Sequence, residues 1–263
     1  MATSYLVMDI ETIPDTTLYK APDTAPGVER PFPPLYVHRP VVIGCLWLGE
    51  DYEWKRLGVI GDGTDEARML ADFSRFVDEH RPHVVTFNGR GFDLPVIMLR
   101  CLRHGVQLRW YYQGRDYRYR YSDEGHIDLA DFLTEHGATR GGLSLDASAR
   151  LIGLPGKVGV DGSQVEGLWN SGQHEAVQSY CLSDVAQTAF LFLRFRLLMG
   201  QLDRAGYQRA ARGVLDGLRA DGRVGPLLEK LETGRLLLED EPAPAAASAP
   251  APALPVGPVT SPG

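Results

Sequence analysis

Apolar and polar positions change period several times along the chain, and the changes mark out its elements. Residues Ser4 to Ile13 alternate as a strand does and stop at Pro14. The proline-rich stretch from Ala21 to Pro40 carries neither period and predicts a surface loop. Val41 to Leu48 and Tyr52 to Val59 read as two further strands joined by the Gly49-Glu50-Asp51 turn. Met69, Leu70, Phe73, Phe76 and Val77 recur at helical spacing, which predicts a helix over Asp65 to Glu79. A short buried strand follows at His83 to Phe87, then a helix at Pro95 to Arg103. Residues Val106 to Ile127 are rich in aromatics and arginine and fit no single period. Leu129 to Glu135 and Leu145 to Ile152 read as short helices, the second entered through Ser144, and Ala176 to Leu198 is the longest helical signal.

Strands alternating with helices predict an α/β domain over residues 1–200. Gly-punctuated helical pieces form an expected extension at 201–238. The tail at 239–263 is nearly all Pro, Ala, Ser, Val and Gly, too poor in bulky residues to offset its ordering entropy, so disorder is expected there.

Composition narrows the class. With 44% hydrophobic and 23% charged residues, the chain reads as an ordinary globular protein. Its most apolar helical run, Ala189 to Met199, is interrupted by Arg194 and Arg196, and no membrane span is expected. The opening residues lack a basic, then long apolar, leader. Cys45, Cys101 and Cys181 are too widely spaced to suggest zinc or redox work. They read as buried thiols in a reducing cytoplasm, so the expected location is cytoplasmic. A net charge of −7 argues against broad coating of duplex nucleic acid. Charge is uneven, however: Arg90 to Arg120 contains seven arginines but only two acids, Asp93 and Asp116.

Three short patterns carry candidate chemistry. Asp9 and Glu11 are two apart on the first strand and therefore share a face, with Leu6, Met8 and Ile10 on the other. Adjacent ionised carboxylates on a central strand repel, and hard divalent cations such as Mg²⁺ or Mn²⁺ are their natural compensation. At a strand end the same pair would simply be solvated. In Asn88-Gly89-Arg90-Gly91-Phe92-Asp93, two glycines permit a tight turn and Asp93 stands where a helix begins, which also suits a helix N-cap. Tyr180 and Asp184 lie one helical turn apart on one face, a spacing equally common on solvated surfaces.

In this order the three patterns resemble the four-acid-plus-tyrosine (DEDDy) 3′→5′ exonucleases. More closely, the chain resembles the predicted exonucleases related to the proofreading domain of family B DNA polymerases. The resemblance runs from Asp9 to about Arg194. It includes His126-Ile127-Asp128-Leu129, Ser144-Leu145-Asp146, Gly153-Leu154-Pro155-Gly156-Lys157 and Asp161-Gly162-Ser163. The related histidine branch carries its histidine one residue further from the final Asp. Here that position is Ser179, and Tyr180 fills the tyrosine place.

The resemblance implies a ribonuclease-H-like fold, a central mixed β-sheet flanked by helices. It also implies a two-metal site: Asp9, Glu11 and Asp184 at the water side, Asp9 and, through waters, Asp93 at the second ion. Tyr180 would orient the attacking water and Glu11 would help receive its proton. The implied reaction removes nucleoside 5′-monophosphates from the 3′ end of a single-stranded nucleic acid. Asn88 and Phe92 would line the substrate cleft, as their motif implies.

Among the arginines, Arg115, Arg118 and Arg120 are the candidate phosphate partners. Tyr117, Tyr119 and Tyr121 alternate with Arg118 and Arg120 as in a half-buried strand, or offer rings on which bases stack. Asp128 and Lys157 are expected to be structural. A ribonuclease-H-like endonuclease, a non-catalytic nucleic-acid-binding or scaffolding domain, and a structural α/β protein with surface acids remain the alternatives.

Overall fold

The computed structural model describes residues 3–20, 22, 31–114 and 116–240. Arg115 and the Pro/Ala-rich tail beyond residue 240 lie outside the described residues, as does most of the stretch 21–30. Five strands form one sheet: β1 (Tyr5–Pro14), β2 (His38–Leu48), β3 (Trp54–Val59), β4 (His83–Thr86) and β5 (His126–Asp128). Their order across the sheet is β3-β2-β1-β4-β5. β2 and β3 run antiparallel to their neighbours, whereas β4 and β5 run parallel to β1. This is the mixed sheet that the resemblance implied.

Because β1 is central, both of its faces are buried. Tyr5 and Val7 enter one core, Leu6, Met8 and Ile10 the other. The second core is covered by α1 (Glu66–His80), α2 (Asp93–His104) and α3 (Arg109–Gln113). α1 begins where Asp65 accepts the Arg68 amide, and its apolar stripe of Met69, Leu70, Phe73 and Val77 is buried. The first core is filled from α4 (Leu129–Leu133), α5 (Leu145–Leu151), α7 (His174–Leu198) and α8 (Arg204–Asp221). α6 (Val165–Asn170) closes a smaller cluster with Ile13, Val41 and Cys181. Along its middle α7 is apolar nearly all round, because it lies between the sheet, α5 and α8. α9 (Gly225–Leu228) and α10 (Thr233–Leu236) contribute Leu227 and Leu236 to the same core. No described helix is long and apolar enough to cross a membrane.

Three local expectations change. β2 begins at His38, inside the expected loop, because Pro40 sits beside a bulge at Glu11/Thr12 where its missing amide breaks no ladder. Tyr52 turns out of the third strand with φ 60° and stacks on Tyr5, ring centroids 4.9 Å apart. Residues 116–125 form turns, and the alternation of tyrosine and arginine is no strand. Tyr117 is buried with its hydroxyl donating to Pro82 O at 2.7 Å, whereas Tyr119 and Tyr121 are exposed.

Candidate active site

Asp9 and Glu11 stand on the β1 face that meets α7, the side on which Cys181 packs. β2 presents Gly44 directly opposite Asp9. A Cβ there would lie 2.7 Å from the Cys181 sulfur, so glycine is what lets α7 come down onto the sheet at this level. The Cys181 thiol donates to Asp9, 3.5 Å from its carbonyl and 3.6 Å from Oδ2. The nearest ligating atoms of Asp9, Glu11 and Cys181 fall within 4.8 Å of one another. On the same helix Tyr180, one residue before Cys181, and Asp184, three residues after it, come to the same place. The Tyr180 phenol and the Asp184 carboxylate influence each other's titration there, and Gln187 Nε2 donates to Asp184 Oδ1 at 3.4 Å.

Asp93 arrives from the other side. β4 pairs with β1 only as far as Val7 with Val85. The His83 amide bonds Ser4 O, so by alternation the Ile10 amide also points toward β4, where no strand remains to meet it. Asp93 Oδ1 accepts that amide at 3.1 Å. Asp93 is the first residue of α2, and its carboxylate is committed to β1 instead of capping the helix, which begins after Phe92 with no side-chain cap. The turn before it is sterically exact. Asn88 adopts φ 64°, and a Cβ on Gly89 would strike Thr86 Oγ1 at 2.4 Å. Asp128 fixes the turn by accepting the amides of Asn88 and Arg90, each at 2.8 Å, and it caps α4 through Ala130.

The four carboxyl groups therefore converge, with Glu11 and Asp93 buried and Asp9 and Asp184 half-buried. Burial raises Asp9 well above the usual carboxylate range, and Asp93, Glu11 and Asp184 push it further. Glu11 is raised by burial and then by Asp184 and Asp93. Burial lifts Asp93 to about 7 against the hydrogen bonds it receives. Burial likewise lifts Asp184 to about 6, although Tyr180 and, at longer range, Lys157 oppose the rise. Among the described residues no arginine or lysine forms an ion pair with any of the four; Lys157 is bound to Asp161 at 2.6 Å. An all-oxygen, anionic and uncompensated donor set is what a hard divalent cation requires, so these residues fit such an ion. Burial and the same carboxylates raise the Tyr180 phenol further above its ordinary value, so at neutral pH it keeps its proton and is no base.

The other expected contacts scatter. Phe92 is half-buried beside Asp93, and Asn88 is exposed on the turn. Arg118 lies over the Tyr112 ring, 5.3 Å from its centroid. Arg120 is held by Asp131 through bonds of 2.8 and 2.7 Å. Arg90 reaches the carbonyls of Tyr117, Tyr119 and His126, which ties this segment along β5, the edge strand two places from β1. Sequence reasoning treated Cys181 only as a buried thiol and passed over Gly44 and Gln187. The i, i+3 spacing of Cys181 and Gln187 to Asp184 was the available signal for two of them.

The profile of a family described as predicted 3′-5′ exonucleases related to the exonuclease domain of PolB matches residues 30–230. The chain belongs to that family. Among solved structures it is similar to the family B DNA polymerase of the hyperthermophilic archaeon Pyrobaculum calidifontis, with a TM-score of 0.54 and 20% identity. That similarity covers 89% of this chain but only 27% of the polymerase, and it shows a shared ribonuclease-H-like fold. A comparison with curated proteins gave no match.

Proposed function

We propose that this protein is a metal-dependent 3′→5′ exonuclease that shortens single-stranded nucleic acid, DNA in preference to RNA, and releases nucleoside 5′-monophosphates. The observation that carries the reading is the meeting of Asp9, Glu11, Asp93 and Asp184 around Tyr180 with no arginine or lysine ion-paired to any of the four among the described residues. The preference for DNA rests on the family's relation to a DNA polymerase domain.

Asp9, Glu11, Asp93 and Asp184 are the residues that would hold Mg²⁺ or Mn²⁺. A pair of such ions supplies Lewis acidity to activate water and to stabilise the departing 3′ oxyanion. Tyr180, close to Asp184, directs the attacking water, and Glu11 is the nearby carboxylate to take the proton. Asp93, seated on the Ile10 amide, fixes the spacing between β1 and the glycine turn. Asn88 and Phe92 border the strand's path. Arg118 is a phosphate partner farther out, Arg115 is proposed as another from its sequence pattern alone, and Arg120 joins them only by giving up Asp131.

The test is a time course on 5′-labelled single-stranded DNA and RNA with Mg²⁺ or Mn²⁺. A ladder shortening from the 3′ end, faster on DNA and stalled by a blocked 3′ end, is expected. Internal cuts in the blocked strand would identify an endonuclease instead. Absence of any cleavage with either metal would leave a binding domain.

A further inference from the structure

Phe32 is the most exposed phenylalanine of the described residues, at 71%, yet its ring is not free. It stacks on His38, centroids 4.9 Å apart and planes 28° apart, and tilts against Phe92 at 5.9 Å. His38 meets Phe92 edge-on at 5.0 Å, so the three rings form one aromatic step. The histidine in its middle is clamped at both nitrogens. A carbonyl can only accept, so Nε2–H donates to Pro33 O at 3.1 Å. In the neutral ring Nδ1 then accepts from the Thr12 hydroxyl at 2.8 Å. The imidazole is 5% exposed and cannot turn, and the outer face of Phe32 is held toward solvent in a fixed plane.

The step hangs from the same chain positions as the carboxylates. Thr12 follows Glu11, and Phe92 precedes Asp93. Any ligand whose phosphate is held by those acids through a cation must carry its base away from them, and among the described residues this aromatic step borders them through Phe92, which precedes Asp93 and touches Phe32. A planar apolar face beside a phosphate site is what base stacking uses, and it needs a base with a free π-face, hence an unpaired one.

We infer that Phe32, backed by His38 and Phe92, seats an unpaired base of one of the two nucleotides flanking the scissile bond. Phe32 is thereby a substrate-binding residue of the single strand. The inference rests on the exonuclease reading and extends it to a residue outside the three acidic patterns.

A double-substitution cycle tests it. The probes are 5′-fluorescein-labelled 12-nucleotide DNA single strands carrying an abasic site at the terminal, the penultimate or the sixth position from the 3′ end, plus the intact strand. Affinities are measured by anisotropy in Ca²⁺ for the wild type, Phe32→Ala and Phe32→Trp. In the wild type, removing the terminal or the penultimate base should weaken binding about tenfold, and removing the sixth should not. Phe32→Ala should bind the intact strand about tenfold more weakly and be indifferent to which base is missing. Phe32→Trp should restore the discrimination. Because Phe32 is solvent-facing, Phe32→Ala should melt with the wild type, so a loss of affinity cannot be charged to misfolding. Should Phe32→Ala bind intact DNA as the wild type does, or keep the same sensitivity to the missing base, the seat is refuted while the nuclease reading stands. A wild type that neither binds these strands nor cleaves them with Mn²⁺ overturns both.

Discussion

β1 carries two buried clusters of charge, one at Asp9 and Glu11 and one just past its end at Asp15, and they solve burial in opposite ways. At Asp15 the acids have partners. Arg100, 1% exposed, ion-pairs with Asp15 at 2.9 Å and with Glu66 at 2.5 Å, and Arg103 and His104 add contacts at 3.6 and 3.0 Å. Burial there raises the Asp15 carboxyl, but the hydrogen bonds from Thr17 and Arg100 outweigh it and bring the group down to about 2. Six residues earlier the same strand holds acids beside acids, and every carboxyl is pushed up. The balanced cluster ties α1 and α2 to the end of β1. The unbalanced one gathers buried negative charge that protons or a divalent cation can relieve. Burial outweighed by partners serves architecture at Asp15, whereas burial left uncompensated among acids is the pattern common at functional sites.

The sharpest way to break this contrast is to remove one member of the unbalanced set. Asp184→Asn should lower exonuclease turnover by roughly 10³-fold or more, read from the product ladder. Mn²⁺ should raise the wild-type melting temperature but leave that of the Asp9→Ala/Asp184→Ala double variant unchanged. Removing the cation of the balanced set should do the reverse. Arg100→Leu leaves Asp15 and Glu66 buried without their partner and should cost about 3–5 kcal/mol in urea unfolding. Turnover per folded molecule should hardly change. Tyr180→Phe comes next: losing one orienting hydroxyl should slow turnover by about tenfold while the Mn²⁺ shift in melting persists. A Tyr180→Phe enzyme as inactive as Asp184→Asn would contradict a positioning role.

The smallest effect is on pH. A carboxyl whose folded pKa is raised stabilises the fold fully below its unfolded value, about 4, and loses that contribution as pH climbs through the folded value. For Asp184 and Asp93 the loss falls at about 6 and about 7. Buried His38 and His126 and half-buried His83, all with lowered pKa values, act in the opposite sense as pH rises through their ordinary value near 6.5. The readout is therefore a difference. In EDTA, Asp93→Asn should gain melting temperature relative to the wild type between pH 5 and pH 8, and a constant offset would contradict the raised carboxyl.

Much of this was legible in the chain. Period two put Asp9 with Glu11, a helical turn put Tyr180 with Asp184, and a glycine pair announced the bend before Asp93. These signals are local, and local geometry is what a sequence carries most directly. The arginine–tyrosine segment was opaque for the complementary reason. Whether Arg120 meets a phosphate or Asp131, and whether Tyr117 is buried while Tyr119 is not, depends on partners brought in by folding. β5, three residues long, is too brief to show a period at all. The start of β2 was hidden by Pro31, Pro33, Pro34 and Pro40, because only a bulge makes a proline acceptable there.

The brevity of β4 has a last consequence. Had that strand run on past Thr86, its own carbonyls would have claimed the Ile10 amide and Asp93 would have had nowhere to land. One missing rung of the ladder thus becomes a mooring point between segments more than eighty residues apart. It also supplies a native gauge. Solvent exchange of the Ile10 amide proton is gated by the Asp93 carboxylate, so its rate reports whether that acid is docked without any label in the cleft.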